Sequence, residues 1–250
     1  MKFFFLAMAI CVANISSAQD ENVLIKQADN LEKQFKENDA LNMYEQAVAK
    51  DSLNITLLVK CTELNCSIGE KQVDKTARQN YFQTAKTFAD KALATNPNNA
   101  DANYAQALCF AKLTETETEN KKTVDDVKQI YVFGTKALSI NPNHAKANYI
   151  LGKWHYEVIN LSWVKKVAVK AWYGGLPKPD IDSAIYYMEK CRSIDMYFVP
   201  DYLDLAKAYQ YDNKPAQEIE VLTKMVHLPN RTADDAALKA EGQKMLNALQ

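Results

Sequence analysis

Residues 91–104 read KALATNPNNADANY and residues 136–149 read KALSINPNHAKANY, with ten of the fourteen positions identical. In each copy a helix-forming Lys-Ala-Leu run meets Asn-Pro, which cannot continue a helix, and an alanine-rich amphipathic stretch follows. One helix ends and the next begins, twice, at an interval of forty-five residues. A unit of this kind buries its apolar face only by stacking on its neighbours, so the pattern predicts a binding scaffold before it predicts an enzyme.

The two copies resemble tetratricopeptide repeats, in which small residues sit where two antiparallel helices approach closely and a proline ends the pair. Counting back from Pro97 and Pro142 places Ala92 and Ala137 at the close-packed alanine position. The helices that follow carry Ala107 then Phe110, and Gly152 then His155, at the small and aromatic positions of the first helix. Three weaker repeats fall into the same register. Residues 21–54 supply Leu24, Ala28, Leu31, Ala40, Tyr44 and Ala47. Residues 199–230 supply Tyr202, Leu205, Ala206 and Tyr209 before a degenerate second helix, and the repeat from 145 to 198 supplies Ala184, Met188 and Cys191 after an insertion of twenty residues. The predicted fold is therefore all-α: a tetratricopeptide-repeat superhelix with repeats at about 21–54, 55–99, 100–144, 145–198 and 199–230, an inserted amphipathic helix, and a capping helix at about 232–249.

The second and third repeats each hold eleven residues beyond the usual length. Val73, Ala77, Tyr81, Ala85, Ala89 and Ala92 keep a spacing of three or four, as do Val124, Val127, Ile130, Gly134 and Ala137. The additions are therefore expected as about one and a half extra turns on both helices of each pair, not as a loop. The Thr/Glu tract from Thr114 to Glu119 is expected at a solvated helix end or turn.

Composition narrows the function classes. Thirty basic residues against thirty-one acidic, with a pI near 6.3, give no global attraction to nucleic acid. The three histidines, His144, His155 and His227, fall in separate repeats, and there is no HExxH, Walker loop, GxSxG or CxxC. His155 occupies an aromatic packing position, and Asp125 and Asp126 are placed near the start of a helix, where carboxylates favour the dipole. No cofactor, metal site or catalytic residue is expected.

Residues 1–18 read as a cleavable export signal: Lys2, an apolar run from Phe3 to Ala13, and Ser16 and Ala18 before Gln19. Eleven apolar residues span about 17 Å as a helix against a hydrocarbon core of about 30 Å, so no transmembrane span is expected in the mature chain. The bulky Ile10 before Cys11 argues against a lipoprotein signal. The expected location is bacterial and exported, periplasmic or extracellular. Cleavage leaves Cys61, Cys66, Cys109 and Cys191; the first two are about 7.5 Å apart along one helix, too far for a relaxed disulfide, and buried free thiols are expected.

From Leu151 to Pro179 the chain reads LGKWHYEVINLSWVKKVAVKAWYGGLPKP. Val164, Val167, Ala168, Ala171 and Trp172 share one helical face, Lys165, Lys166 and Lys170 another, and Gly174-Gly175 ends the segment. The LGKW, LSW, basic-pair and aromatic-Gly-x-x-Pro sequence resembles the tetratricopeptide domain of the regulator of microtubule dynamics family. The resemblance extends through DSAIYYMEKC, YLDLAKAY and HLPNRTADDAALKAEGQKML, over roughly residues 80–250. It implies an all-helical fold and, in eukaryotic members, association with microtubules or membranes. It departs at the front, where an export signal stands in place of the membrane anchor of some members.

In tetratricopeptide domains the concave surface draws on the fifth position of each first helix, here Ile25, Val59, Tyr104, Tyr149 and Leu203. Lys153, Tyr156 and Lys207 lie further along the same helices. This predicts an apolar groove that holds an unidentified protein or peptide partner; the alternative is a carrier or sensor of a lipid or other apolar ligand, with Trp163, Trp172 and Tyr173 beside the insert lysines.

Overall fold

The computed structural model describes residues 20–161 and 178–249, and every regular element among them is a helix. The chain divides into two compact units at the Thr95–Asn96 junction. Residues 1–19, which contain the expected export signal, and residues 162–177, which contain Trp163, Lys165, Lys166, Lys170, Trp172 and Tyr173 of the expected insert helix, lie outside the described residues.

In the first unit α1 (20–33), α2 (Glu37–Lys50), α3 (Ile55–Glu70) and α4 (Lys75–Thr95) follow one another through short turns. Phe35, at φ 60°, turns the chain between α1 and α2. The alanines of the repeat register, Ala28, Ala40, Ala47, Ala85, Ala89 and Ala92, are all fully buried. A methyl side chain at each lets two helices approach without rotamer cost, which is why the register is legible as alanine. Phe82 is also fully buried, and a methyl group added at Gly69 would come within 2.7 Å of its ring.

The second unit contains α5 (Ala100–Thr116), α6 (Asn120–Ile140), α7 (Ala145–Ile159), α8 (Ile181–Ile194), α9 (Val199–Tyr211), α10 (Pro215–Val226) and α11 (Asp235–Ala248). Successive helices pair as α5/α6, α7/α8 and α9/α10, and α11 closes the end against α9 and α10. Tyr202, Leu205, Leu222 and Met225 form the centre of the last core cluster, each fully buried. The second helix of that repeat, irregular in sequence pattern, is a regular helix that buries Val221, Leu222 and Met225.

The two copies of the deciding stretch make the same contacts. Asn99 Oδ1 accepts the Ala102 N–H at 2.9 Å, and His144 Nδ1 accepts the Ala147 N–H at 3.0 Å, so each caps the helix that follows. The shared Asn of the Ala-Asn-Tyr ending has the larger role. Asn103 Nδ2 donates to Pro97 O at 3.0 Å, and Asn148 Nδ2 donates to Pro142 O at 3.2 Å. Both asparagines are buried, and each ties its helix back to the turn before it.

The extra residues of the second and third repeats are shared unevenly. The second helices α4 and α6 run 21 residues against 14 for α2, about two added turns, whereas α3 and α5 reach only 16 and 17. The expected equal division is corrected on this point. The added turns open α4 with Lys-Thr and α6 with Asn-Lys-Lys, which are exposed, so they lengthen the helices into water. Val73 is likewise not part of the helical face: it precedes α4 and is fully exposed. Asp125 and Asp126 sit in the second turn of α6, and Asp126 is buried.

Candidate binding surface

Within each unit the fifth-position residues are partly or wholly covered by helix packing. In the first unit Ile25 is half-buried and Val59 is buried. The same stretch of helix surface carries an ion pair between Lys60 Nζ and Glu32 at 3.0 Å. In the second unit Tyr104 and Leu203 are buried, and Tyr149 is half-buried with its ring edge-on to Phe198 at 5.1 Å. Their apolar area is largely consumed in helix packing.

What remains open to solvent is polar and charged. Asp204 Oδ2 accepts from both Tyr149 Oη and Lys153 Nζ, each at 2.7 Å, joining α7 to α9. Lys153 also lies 3.8 Å from Glu157, and Lys207 Nζ lies 2.9 Å from Glu241 on α11. The Lys153 side chain keeps 39% of its surface exposed while Asp204 keeps 11%. Asp204 is thus the fixed member of the pair and Lys153 the accessible one. The Lys207 ammonium loses affinity for its proton through burial, but Glu241 and Asp204 outweigh this and hold its pKa above the usual range. Tyr156, half-buried near the same charges, is raised chiefly by burial, and its ring meets Tyr211 edge-on at 6.3 Å.

Tyr149, Lys153, Tyr156, Leu203 and Lys207 therefore come together on α7 and α9, with Tyr104 on α5 as their neighbour in the same unit. Lys146 of α7 stands 6.0 Å over the Tyr104 ring of α5, and within α7 Lys153 stands 5.9 Å over the Tyr149 ring, both at cation–π distance. Sequence reasoning missed Asp204, Glu241, Phe198 and Asp101, which accepts from His144 Nε2 at 3.0 Å. Asp204 adjoins Leu203 in sequence, but its partners lie on another helix about fifty residues away, and helical periodicity carries no signal of that.

His155 is in the core, as a packing residue would be. It is flanked by Trp154 at 5.1 Å, Tyr187 at 5.9 Å and Tyr131 at 6.2 Å, and its Nδ1 accepts the Asp180 N–H at 3.3 Å. Burial lowers its pKa, opposed by Asp180, so the ring is neutral at physiological pH. Among the described residues Cys61, Cys66, Cys109 and Cys191 are all buried with free thiols. Burial, with Glu45 nearby, pushes Cys61 up to about 12, and burial together with Asp201 and Asp195 raises Cys191, so neither is an activated nucleophile.

The profile described as regulator of microtubule dynamics protein 1-3 matches residues 24–250. The chain belongs to this family. Among regulator of microtubule dynamics proteins, protein 1 of Caenorhabditis elegans is 22% identical over 186 residues, covering 74% of this chain and 80% of its own. Protein 3 of Xenopus laevis is 28% identical over 187 residues, 73% of this chain and 39% of that protein. Human protein 2 is 21% identical over 174 residues, 69% of this chain and 42% of that one, so the match spans about two fifths of the length of these vertebrate relatives. Among solved structures, a tetratricopeptide-repeat protein of Thermus thermophilus aligns with 90% of this chain and 99% of its own at a TM-score of 0.66 and 12% identity. The family member described here therefore has the tetratricopeptide-repeat fold.

One group in this family member stores free energy against folding. Asp201, in the first turn of α9, is fully buried, and neither carboxyl oxygen has a hydrogen-bond donor in normal geometry. Burial raises its pKa well above the ordinary value, reinforced by Asp204 and Glu189 and opposed by the Cys191 thiol and Arg192. A raised carboxyl pKa means that the folded state keeps a proton the unfolded chain releases above about pH 4, so stability falls as pH rises from there through the folded-state pKa. Asp201→Asn, which does not titrate, is expected to flatten that decline. In thermal melts between about pH 4 and 8 the variant should gain on the wild type as pH rises, by about 2–4 °C for each kcal/mol recovered. A gap that stays constant with pH would contradict this.

Proposed function

We propose that this protein is a non-catalytic, exported scaffold that holds a protein or peptide partner on the α7–α9 face of its second unit. The tetratricopeptide fold and family membership support an interaction scaffold in general. The observation that carries the finer reading is the half-exposed lysine pair, Lys153 and Lys207, held in place by Asp204 and Glu241 beside Tyr149 and Tyr156. Fixed side chains lose little entropy when a partner binds, and aromatic rings beside half-exposed charges suit a peptide that has both apolar and acidic groups. Export, read from residues 1–18, implies a partner in the bacterial envelope or outside the cell. Microtubule association, contained in the relatives' names, is no part of this proposal. The apolar-carrier alternative is not taken further, because Val59, Tyr104 and Leu203 are spent in helix packing.

The test is a charge reversal. Lys153→Glu with Lys207→Glu is expected to weaken capture of the partner from the envelope fraction by about tenfold or more. Lys136→Glu, an exposed change on the second helix α6, should leave it unaltered. Equal capture by all three proteins would remove the α7–α9 face from the proposal.

A further inference from the structure

A second surface, in the first unit and unrelated to the α7–α9 face, has a chemistry of its own. Between α2 and α4 lies an open depression of about 420 Å³ with α3 beneath it. Asn38 and Asn42 are one turn apart on α2, so they share a face, and Asn80 and Thr84 are one turn apart on α4 opposite them. Asn65 of α3 is 2% exposed, yet it lines the same depression. Its amide nitrogen is committed to Cys61 O at 2.8 Å.

Four carboxamides and a hydroxyl thus converge from three helices on one space. None is needed to cap a helix, since α3 is capped by Asn54 and α2 by no side chain at all. Packing does not explain them either: Asn38, Asn42, Asn80 and Thr84 are exposed. Asn42 Oδ1 accepts from Gln46 at 3.1 Å, and Thr84 donates to Asn80 O at 2.9 Å, so both are held in position while the Asn42 amide N–H groups and the Thr84 oxygen lone pairs still face outward chemistry. The remaining lining is Tyr81, Leu41 and Glu45, with no lysine or arginine.

We propose that this depression binds a neutral, hydroxyl-rich ligand, a short oligosaccharide. Each sugar hydroxyl donates and accepts at once, and a side-chain carboxamide is the group that answers both, whereas an anion would require the cations this lining lacks. Tyr81, half-buried in the lining, offers an aromatic face to the C–H groups of a pyranose ring. Glu45, exposed at the edge of the lining, adds carboxylate oxygens that accept from sugar hydroxyls, and desolvation holds its pKa above the ordinary value. The volume falls in the range of small-ligand sites, about 300–1,000 Å³.

The test uses the full chain labelled with nitrogen-15, titrated separately with maltotriose, chitotriose and a Gly-Ser peptide, reading the asparagine side-chain amide signals. A saturable shift of these signals by one of the sugars, weakened about tenfold in the Asn42→Ala, Asn80→Ala double variant, is the expected result. Both substitutions are at exposed positions, and unchanged helical circular dichroism checks the fold. Asn38→Lys, which reaches across the depression, should abolish the shift independently. No shift with either sugar at millimolar concentration, a shift that survives both variants, or a preference for the peptide would overturn the proposal. None of these outcomes bears on the charge-reversal test, which reads the other unit.

Discussion

Trp154→Ala is expected to cost about 3–5 kcal/mol of unfolding free energy, the range for removing a buried large aromatic. Trp154 is 3% exposed on α7, its ring lies 4.7 Å from that of Tyr131 and 5.1 Å from that of His155, and its indole N–H donates to Val127 O at 2.8 Å. It therefore joins α6 to α7 by both packing and a hydrogen bond. The two contributions can be separated. Trp154→Phe keeps a ring against Tyr131 but loses the donor, and since Val127 O is a helix carbonyl that stays within its own ladder, the hydrogen-bond part should cost only about 1 kcal/mol. Urea midpoints for the three proteins should fall in the order wild type, Phe, Ala, with the larger step from Phe to Ala. An alanine variant within about 1 kcal/mol of wild type would mean that the α6–α7 contact is held elsewhere.

The second expectation concerns two glycines with opposite signs. A methyl group at Gly152 would stand 2.6 Å from Met188 Cγ, 3.0 Å from Ala184 O and 3.1 Å from Met188 N. Two of these atoms belong to the backbone of α8 and cannot swing away. Gly152→Ala must force α7 and α8 apart, at about 1–3 kcal/mol, more than offsetting the gain of up to about 1 kcal/mol from replacing a helical glycine. At Gly242 the nearest atoms are Met225 Sδ at 2.9 Å and Cε at 3.4 Å, the free end of a flexible side chain. There the methionine can turn, and Gly242→Ala should be neutral or stabilising. Melting temperatures should rank Gly242→Ala at or above wild type and Gly152→Ala below it. The reverse order would contradict close helix approach at Gly152.

These two cases mark where sequence reading succeeds. Gly152 and the buried alanines were legible because close helix approach allows only the smallest residues, and that constraint recurs at fixed intervals whatever else surrounds it. The Asn-Pro stops were legible for a similar local reason: they act on the backbone of their own and adjoining residues. The role of Asn103 and Asn148 was written in the same stretch as a repeated Ala-Asn-Tyr, but its meaning needed the turn geometry that brings Pro97 O and Pro142 O to their amides.

The binding surfaces were far less legible. Tyr149, Lys153, Tyr156 and Lys207, named from their places along the first helices, lie near one another on α7 and α9, but the apolar character expected of that surface is interrupted by half-exposed lysines and their carboxylate partners. A position number states which way a side chain points, not how closely the next helix approaches to cover it. Within the second unit Leu203 is covered, whereas the Lys153 side chain keeps 39% of its surface exposed.

The all-helical class, the repeat register, the small residues at the helix crossings and the family could all be read from the order of residues alone, because each rests on local backbone preference or on a constraint that recurs at a fixed spacing. Four features emerged only once the helices were packed: how the extra turns are shared between them, which inner-face residues remain open, the burial of Asp201 without a hydrogen-bond donor in normal geometry, and the meeting of Asn38, Asn42, Asn65 and Asn80 in one depression. The cause is common to all four. Each depends on the distance between side chains on different helices, which is set by the packed volumes of many residues together and is encoded in no single stretch of the chain.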